Sequence, residues 1–496
     1  MTKTDTRELI LGILLEIDGQ KGFSHVVIRN VLDKYQYLEK QERAFLSRVA
    51  QGTLERRLEL DYILNQFSKV SVNKMKPVIR NLLRMSVYQL KYMDRVPDAA
   101  VCNEAVRLAR KKGFASLTGF VNGVLRSIAR GIGEISYPPD PRIISLEQKE
   151  RKSQNDLEKL KEQTAEYLSV RYSMPAWIVK EWLGEYGRDV TEGMLAAFLL
   201  EAVTTIRVNT GQITPKELQS RLEAEGIEVE TIPEIPYALR IRGYDSLRRI
   251  PAFQEGLFFI QDISSMLAVE AAEVKKGSCC LDVCAAPGGK AMQLSQLLEG
   301  TGLVEARDLT EDKVRLIKEN VERLKASQIR VRAFDARVLD KEMIEEADVV
   351  LADLPCSGLG VLGKKPDIKY RITPQSMEEL AGLQREILET AWRYVKPGGT
   401  LIYSTCTINA QENQENVRWL LEHAPLVLEP LPRTVTDFAG KTLGTQETGM
   451  CQLLPGEYGN DGFFIARFRR RAKEEEAAQA RANTCQTEEK RAANRG

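Results

Sequence analysis

Apolar residues recur at helical spacing through the first quarter of the chain. Leu9-Ile10, Ile13-Leu14 and Ile17 form one stripe, Phe45, Val49, Leu54, Leu58 and Ile63-Leu64 a second, and Val78-Ile79, Leu82-Leu83, Val87 and Leu90 a third. Residues three and four apart share one helix face, so each stripe predicts a helix with a buried side. Turn signals at Gly22, Pro77, Pro97 and Gly113 divide the stripes, and a last helix includes Gly119 through Arg126. The pattern predicts an all-α bundle of about seven helices over residues 1–135.

The pattern then breaks at Tyr137-Pro138-Pro139-Asp140-Pro141, and residues 136–165 are charged and poor in apolar positions, as a partly helical linker would be. A small α+β module is predicted over residues 166–254. It opens on a helix after Pro175, places strands at Thr205–Asn209 and Ala238–Arg242, and puts a helix from Pro215 to Ala224 between them. This module resembles RNA-recognition modules but lacks their RNP aromatic signature, so a structural lobe of the neighbouring domain is the equal alternative. Residues 255–470 alternate strand-like and helix-like runs, as a Rossmann-like doubly wound α/β sheet does. Residues 471–496 are charge-dense and read as a disordered tail after a helix end at Arg469-Arg470-Arg471.

A chain of 496 residues is too long for one core, in keeping with this division. The net charge of +1 conceals an asymmetry. Residues 1–131 hold 23 Lys+Arg against 13 Asp+Glu, a net of +10, and the remainder holds 48 against 57, a net of −9. A basic helical module ahead of an acidic one suggests contact with a polyanion such as RNA. No run approaches the roughly 18 to 20 apolar residues of a membrane span, and the first residues carry no apolar secretory core. Eight cysteines in so long a chain do not form a disulfide framework, so a reducing cytoplasm is expected. His25 and His423 are the only histidines, which leaves little room for imidazole chemistry.

The candidate chemistry lies in the third region. Ser278 to Cys284 reads as a strand buried on both faces, with Asp282 its one charge, and Cys284-Ala285-Ala286-Pro287-Gly288-Gly289-Lys290 follows into a helix. Glycines at a strand-to-helix turn let a ligand approach the backbone. The next strand leads to Asp308, 19 residues beyond Gly289, at the spacing that places a carboxylate on ribose hydroxyls. The third strand ends at Asp335, suited to an adenine amino group. The turn matches neither the Walker loop nor the dinucleotide glycine pattern. S-adenosylmethionine, an adenosine without phosphates, fits. Two thiols complete the set: Cys356 in Asp353-Leu354-Pro355-Cys356-Ser357-Gly358 and Cys406 in Ser404-Thr405-Cys406-Thr407, each after an apolar strand. Thiols outside strand carboxyl ends suggest covalent catalysis. The cluster Cys279, Cys280 and Cys284 reads as small buried hydrophobes, and no metal is expected.

These motifs, with Lys396-Pro397-Gly398-Gly399 and Asp461-Gly462-Phe463-Phe464, resemble motifs I, IV and VI and their neighbours in RNA (cytosine-5) methyltransferases. Leu354 stands where that family usually has Ala, and Leu359 where Thr is common. Neither change removes a reactive atom. The helical region resembles the NusB fold, and the fusion resembles the RsmB (Sun/Fmu) branch, which methylates small-subunit ribosomal RNA. The resemblance implies that Cys406 attacks cytosine C6, that Cys356 assists product release, that Asp353 shares a proton with cytosine N3, and that Lys290 positions Asp353. It implies a cofactor site from Cys284, Ala285, Ala286, Pro287, Gly288, Gly289, Lys290, Asp308, Asp335 and Asp353. It also implies a monomer acting on 16S rRNA or a small-subunit assembly particle, and neither DNA nor membrane as partner. DNA enzymes use the Cys of a Pro-Cys pair, which here is Cys356, so the reversed assignment stays open. So do a tRNA substrate and a non-catalytic NusB-like antitermination factor. The charged loop Lys364–Arg371 is expected to meet RNA phosphates, and Glu412-Asn413 and Glu415-Asn416 to cap the next helix or brace the site loop.

Overall fold

A computed structural model describes residues 5–141, 154–201, 203–442, 444–456 and 458–476. Most of the expected C-terminal tail lies outside the described residues. Tertiary contacts divide the chain into two units, Met1–Glu201 with Leu362–Arg371, and Ala202–Val361 with Ile372–Gly496.

The first unit is helical. Its opening bundle runs through Thr6–Asp18, Ser24–Lys34, Lys40–Glu55, Arg57–Phe67, Pro77–Tyr92, Asp98–Lys111 and Thr118–Gly131, seven α-helices as the apolar stripes predict. The stripe residues Ile10, Leu14, Val49, Ile63, Leu83 and Leu125 all enter one core. Helices Gln154–Tyr172, Ala176–Glu185 and Gly187–Ala197 follow, so the expected linker is helical from Gln154 onward.

In the segment Leu362–Arg371, the residues from Asp367 onward depart from the expectation of a phosphate-binding loop. Lys369 is 4% exposed and donates to the Glu55 carbonyl at 2.9 Å. Tyr370 donates to the Leu54 carbonyl at 2.9 Å, and Arg371 to that of Gly22. The Asp367 carboxylate accepts from Ser24 N at 3.1 Å. It thereby caps a helix whose own N-cap, Phe23, supplies no side-chain bond. Within the helical unit, Lys369, Arg371 and Asp367 are thus each bonded to backbone atoms.

Burial lowers the Lys369 pKa to about 7, against the pull of Glu55 and with a further push from Arg56. An unfolded lysine titrates near 10.4. Between these values the unfolded chain binds more protons than the folded one, so stability rises with pH across that window. The slope from this group approaches about 1.4 kcal/mol per pH unit, and Lys369→Met is expected to remove it. Hydrogen exchange of the helical core amides from pH 7 to 9 measures the slope. An unchanged slope in the variant contradicts the assignment.

The second unit holds two sheets. Strands β1 (Thr204–Val208), β2 (Glu228–Thr231), β3 (Ala238–Arg242) and β4 (Phe258–Ile260) form an antiparallel sheet in the order β2-β3-β1-β4. Helix Pro215–Ala224 carries a capping box built by Thr214 and Glu217. β4 lies beyond residue 254, in the stretch assigned from sequence to the catalytic domain. The second sheet comprises β5 (Cys279–Asp282), β6 (Leu303–Asp308), β7 (Ile329–Ala333), β8 (Ala347–Asp353), β9 (Val395–Thr405), β10 (Leu426–Leu428), β11 (Thr445–Glu447), β12 (Met450–Leu453) and β13 (Phe463–Arg470). Its order is β11-β12-β13-β9-β8-β5-β6-β7, with β10 on β13. The strands β7, β6, β5, β8 and β9 run parallel. β13 returns antiparallel to β9 and includes Arg469 and Arg470, where a helix end was expected. Strand order reverses between β5 and β8, so a crevice is expected at their carboxyl ends.

Candidate active site

Lys290, Asp353, Cys356 and Cys406, all singled out from sequence, come together at those strand ends. Asp353 ends β8 and pairs in register with Ser404 of β9. The Lys290 ammonium, just after β5, donates to Asp353 Oδ2 at 2.5 Å, and Ser404 Oγ donates to Oδ1 at 2.8 Å. Burial works against the Lys290 charge, but the Asp353 carboxylate outweighs it and leaves the lysine pKa above its ordinary value. The same ammonium stands 5.5 Å from the Phe463 ring centroid, on the β13 side.

The two thiols meet. Cys356 Sγ and Cys406 Sγ are 3.4 Å apart, although 50 residues separate them in sequence. Their hydrogen bond, burial and the charges of Cys406, Glu412 and Asp353 push the Cys356 thiol well up, so it holds its proton. The loops that carry them are knitted through backbone. Gly360 N donates to the Cys406 carbonyl at 3.0 Å, and Gly462 N donates to that of Gly360 at 2.8 Å. A Cβ on Gly360 would lie 1.8 Å from the Gly462 carbonyl oxygen, so backbone packing forbids any side chain there. A Cβ on Gly462 would in turn lie 2.8 Å from the Gly360 Cα, which explains the glycine of the Asp461-Gly462-Phe463-Phe464 motif.

The turn after β5 is built differently from expectation. Gly288 has φ +104° and caps the helix Gly289–Leu297. A Cβ on Gly289 would lie 2.9 Å from the Phe259 ring. The two glycines therefore answer to backbone conformation and packing. Asp308 accepts from Ala286 N at 3.0 Å and from Leu309 N at 2.8 Å, which ties β6 to the turn. Asp335 is held by Arg337, whose hydrogen bonds keep its carboxyl below the usual range. Cys284 N donates to Asp282 Oδ1 at 3.3 Å.

Two contributors were not among the sequence candidates, and a third, Glu412, was read there as a helix cap or a brace of the site loop and proves to be the brace. Asp282 is 1% exposed, and its Oδ2 has no hydrogen-bond partner among the described residues. Burial pushes its carboxyl up to about 7, against the pull of Lys290 and with a further push from Asp353. The single charge in an otherwise apolar strand was the available signal. Arg207 of β1 donates to the Gly289 carbonyl at 2.7 Å, so the small sheet braces the turn. Glu412 joins the two thiol loops, and the Glu-Asn run after Cys406 was its signal.

A parallel sheet core with an order reversal, acids at successive strand ends and a turn with neither phosphate-binding glycine pattern fit the class of S-adenosylmethionine-dependent methyltransferases. The donor set fits that cofactor: Asp282 offers an unsatisfied oxygen suited to an ammonium group, and Asp308 stands at the next strand end.

Comparison with known proteins agrees. The family described as 16S rRNA methyltransferase RsmB/F matches residues 269–469, the NusB family residues 4–130, and the RsmF/B-like ferredoxin-like domain residues 174–246. A Bacillus subtilis protein named "Probable ribosomal RNA small subunit methyltransferase B" is 36% identical over 95% of this chain and 100% of its own length. The Vibrio cholerae ribosomal RNA small subunit methyltransferase B is 30% identical over 87% of this chain and 90% of its own. The crystal structure of PH0851 shares a TM-score of 0.75 at 26% identity, covering 94% of this chain and 99% of that one. The chain belongs to the ribosomal RNA small subunit methyltransferase B family. It is an RNA methyltransferase whose methyl donor is S-adenosylmethionine, with a NusB-type helical domain, a ferredoxin-like module and a Rossmann-like catalytic domain.

Proposed function

We propose that the chain methylates carbon 5 of a cytosine in 16S rRNA through a covalent adduct between Cys406 and C6 of the base. The observation that carries this reading is the thiol pair at 3.4 Å in the Asp353–Lys290 crevice. Cytosine C5 is too weak a nucleophile to take a methyl group directly. Addition of the Cys406 thiolate at C6 turns C5 into an enamine carbon, which divides one hard step into easier ones. Asp353 shares a proton with N3 and so disperses the charge that the addition places on the ring. Lys290 fixes the Asp353 carboxylate. When bound, S-adenosylmethionine supplies an electrophilic methyl group. The turn Cys284–Lys290 with Asp282, Asp308, Asp335 and Asp353 would hold it. Once C5 carries the methyl group, it gives its proton to water, the C–H electron pair restores the C5–C6 double bond, and the C6–sulfur bond breaks so that Cys406 leaves as thiolate while Cys356 assists release. The hydrogen bond with Cys406 and burial raise the Cys356 thiol, which fits a protonated group that assists release.

The target cytosine must stand outside any base stack to reach a thiol in a crevice. The excess positive charge of residues 1–131 supports RNA engagement by the helical region. The reading includes a monomer acting in the cytoplasm, on 16S rRNA or a small-subunit assembly particle. Incubation with methyl-labelled cofactor and 16S rRNA, subunit particles or tRNA tests it. Label as 5-methylcytosine in 16S rRNA is the expected result. Label confined to tRNA, or at another atom, overturns it.

A further inference from the structure

A buried carboxylate sits behind both thiol loops. Glu412 is 0% exposed, and four donors surround it. Its Oε2 accepts from Ser357 N at 2.9 Å and from Gln384 Nε2 at 3.0 Å. Its Oε1 accepts from Ser357 Oγ and from Asn409 Nδ2 at 3.0 Å. Ser357 follows Cys356 in the chain. Its hydroxyl also lies 2.6 Å from that of Thr407, which follows Cys406. Thr407 in turn accepts from Leu359 N at 3.3 Å.

The donors can all point one way. Leu359 N–H donates to Thr407, the Thr407 hydroxyl to Ser357, and the Ser357 hydroxyl to Glu412. Such a chain needs an acceptor-only terminus, and hydroxyls in series polarise one another. A carboxylate meets all four donors, whereas a glutamine would turn an N–H toward one pair of them. Burying a carboxylate is costly, and a plain structural link between two loops could be made by a neutral side chain. A full set of donors kept around a charge, bonded to the residue after Cys356 and through it to the residue after Cys406, points to control of the thiols.

We propose that Glu412 is a positioning residue that sets the separation of Cys356 and Cys406 by holding Ser357 directly and Thr407 through Ser357. It touches neither substrate nor cofactor. The inference rests on the covalent reading above for its consequence in catalysis, while the geometry it asserts stands apart from that reading. Displacing a reacting group by about 1 Å can lower a rate about 100-fold.

The test uses the full chain and two readouts. The first is the rate at which diamide converts the Cys356–Cys406 pair to a disulfide, mapped by peptide mass spectrometry without RNA. The second is kcat and KM for methyl transfer to 16S rRNA. Glu412→Gln is expected to slow disulfide formation about tenfold and to lower kcat about 10- to 100-fold, with KM for RNA within about threefold. Ser357→Ala, which removes one hydroxyl, is expected to shift both in the same direction by less. The double variant is expected to fall short of the product of the single effects, because the residues act as one unit. Wild-type rates of disulfide formation in Glu412→Gln overturn the proposal. If that variant does not fold, Ser357→Ala and Thr407→Val carry the test, and wild-type rates in both overturn it. Slowed disulfide formation alongside a wild type that transfers no methyl group supports the positioning role and refutes the covalent function.

Discussion

Cys406→Ala is expected to abolish methyl transfer, with kcat falling by at least about 1,000-fold, the scale on which loss of a covalent nucleophile acts. Cys356→Ala is expected to fail differently: it attacks its RNA and does not let go. The two sulfurs are 3.4 Å apart and share one hydrogen bond, so a static view treats them almost alike. Their surroundings separate them. Cys356 lies next to Ser357, whose amide and hydroxyl reach the Glu412 carboxylate, and that charge with Asp353 adds to the push on its thiol. Steady-state methylation assays with gel analysis of protein–RNA species distinguish the variants. A trapped species in Cys406→Ala and none in Cys356→Ala reverses the assignment.

Asp353→Asn is expected to lower kcat about 100- to 10,000-fold, the range in which a positioned proton partner contributes. Asparagine keeps the size and the link to Ser404, but it loses the charge that holds Lys290. The same substitution is expected to change affinity for the cofactor far less than it changes kcat. Lys290→Met should reproduce part of the loss, since it frees Asp353 from the 2.5 Å contact that fixes it. Single-turnover methylation with cofactor titration separates the two effects. A variant that loses cofactor binding and retains its single-turnover rate at saturation assigns Asp353 to binding alone.

Much of this site was legible in the sequence because strand ends announce themselves. Asp353, Cys356 and Cys406 each follow an apolar run, and the topology brings such positions together at the order reversal between β5 and β8. The helical bundle was legible from its stripes, since seven helices each bury one face. Other features depend on partners far along the chain, which local pattern does not report. The charged run through Lys369 and Arg371 looks like a solvated loop, yet its partners are the carbonyls of Glu55 and Gly22. Gly360 looks like one more loop glycine until Gly462 is placed against it. Arg469 and Arg470 mimic a basic helix end, but pairing with β9 and β10 draws them into a strand. Glu412 was legible only as a choice between helix cap and loop brace, because its partner Ser357 lies 55 residues away in the chain.

The central claim is a bond between Cys406 and a base. Cys356→Ala protein is incubated with 16S rRNA and cofactor, digested with nuclease and protease, and read by denaturing mass spectrometry. The expected result is a methylated cytidine nucleotide carried by the peptide that contains Cys406. Methylated RNA with no nucleotide on any cysteine peptide, or a nucleotide carried by a cysteine other than Cys406, contradicts the account.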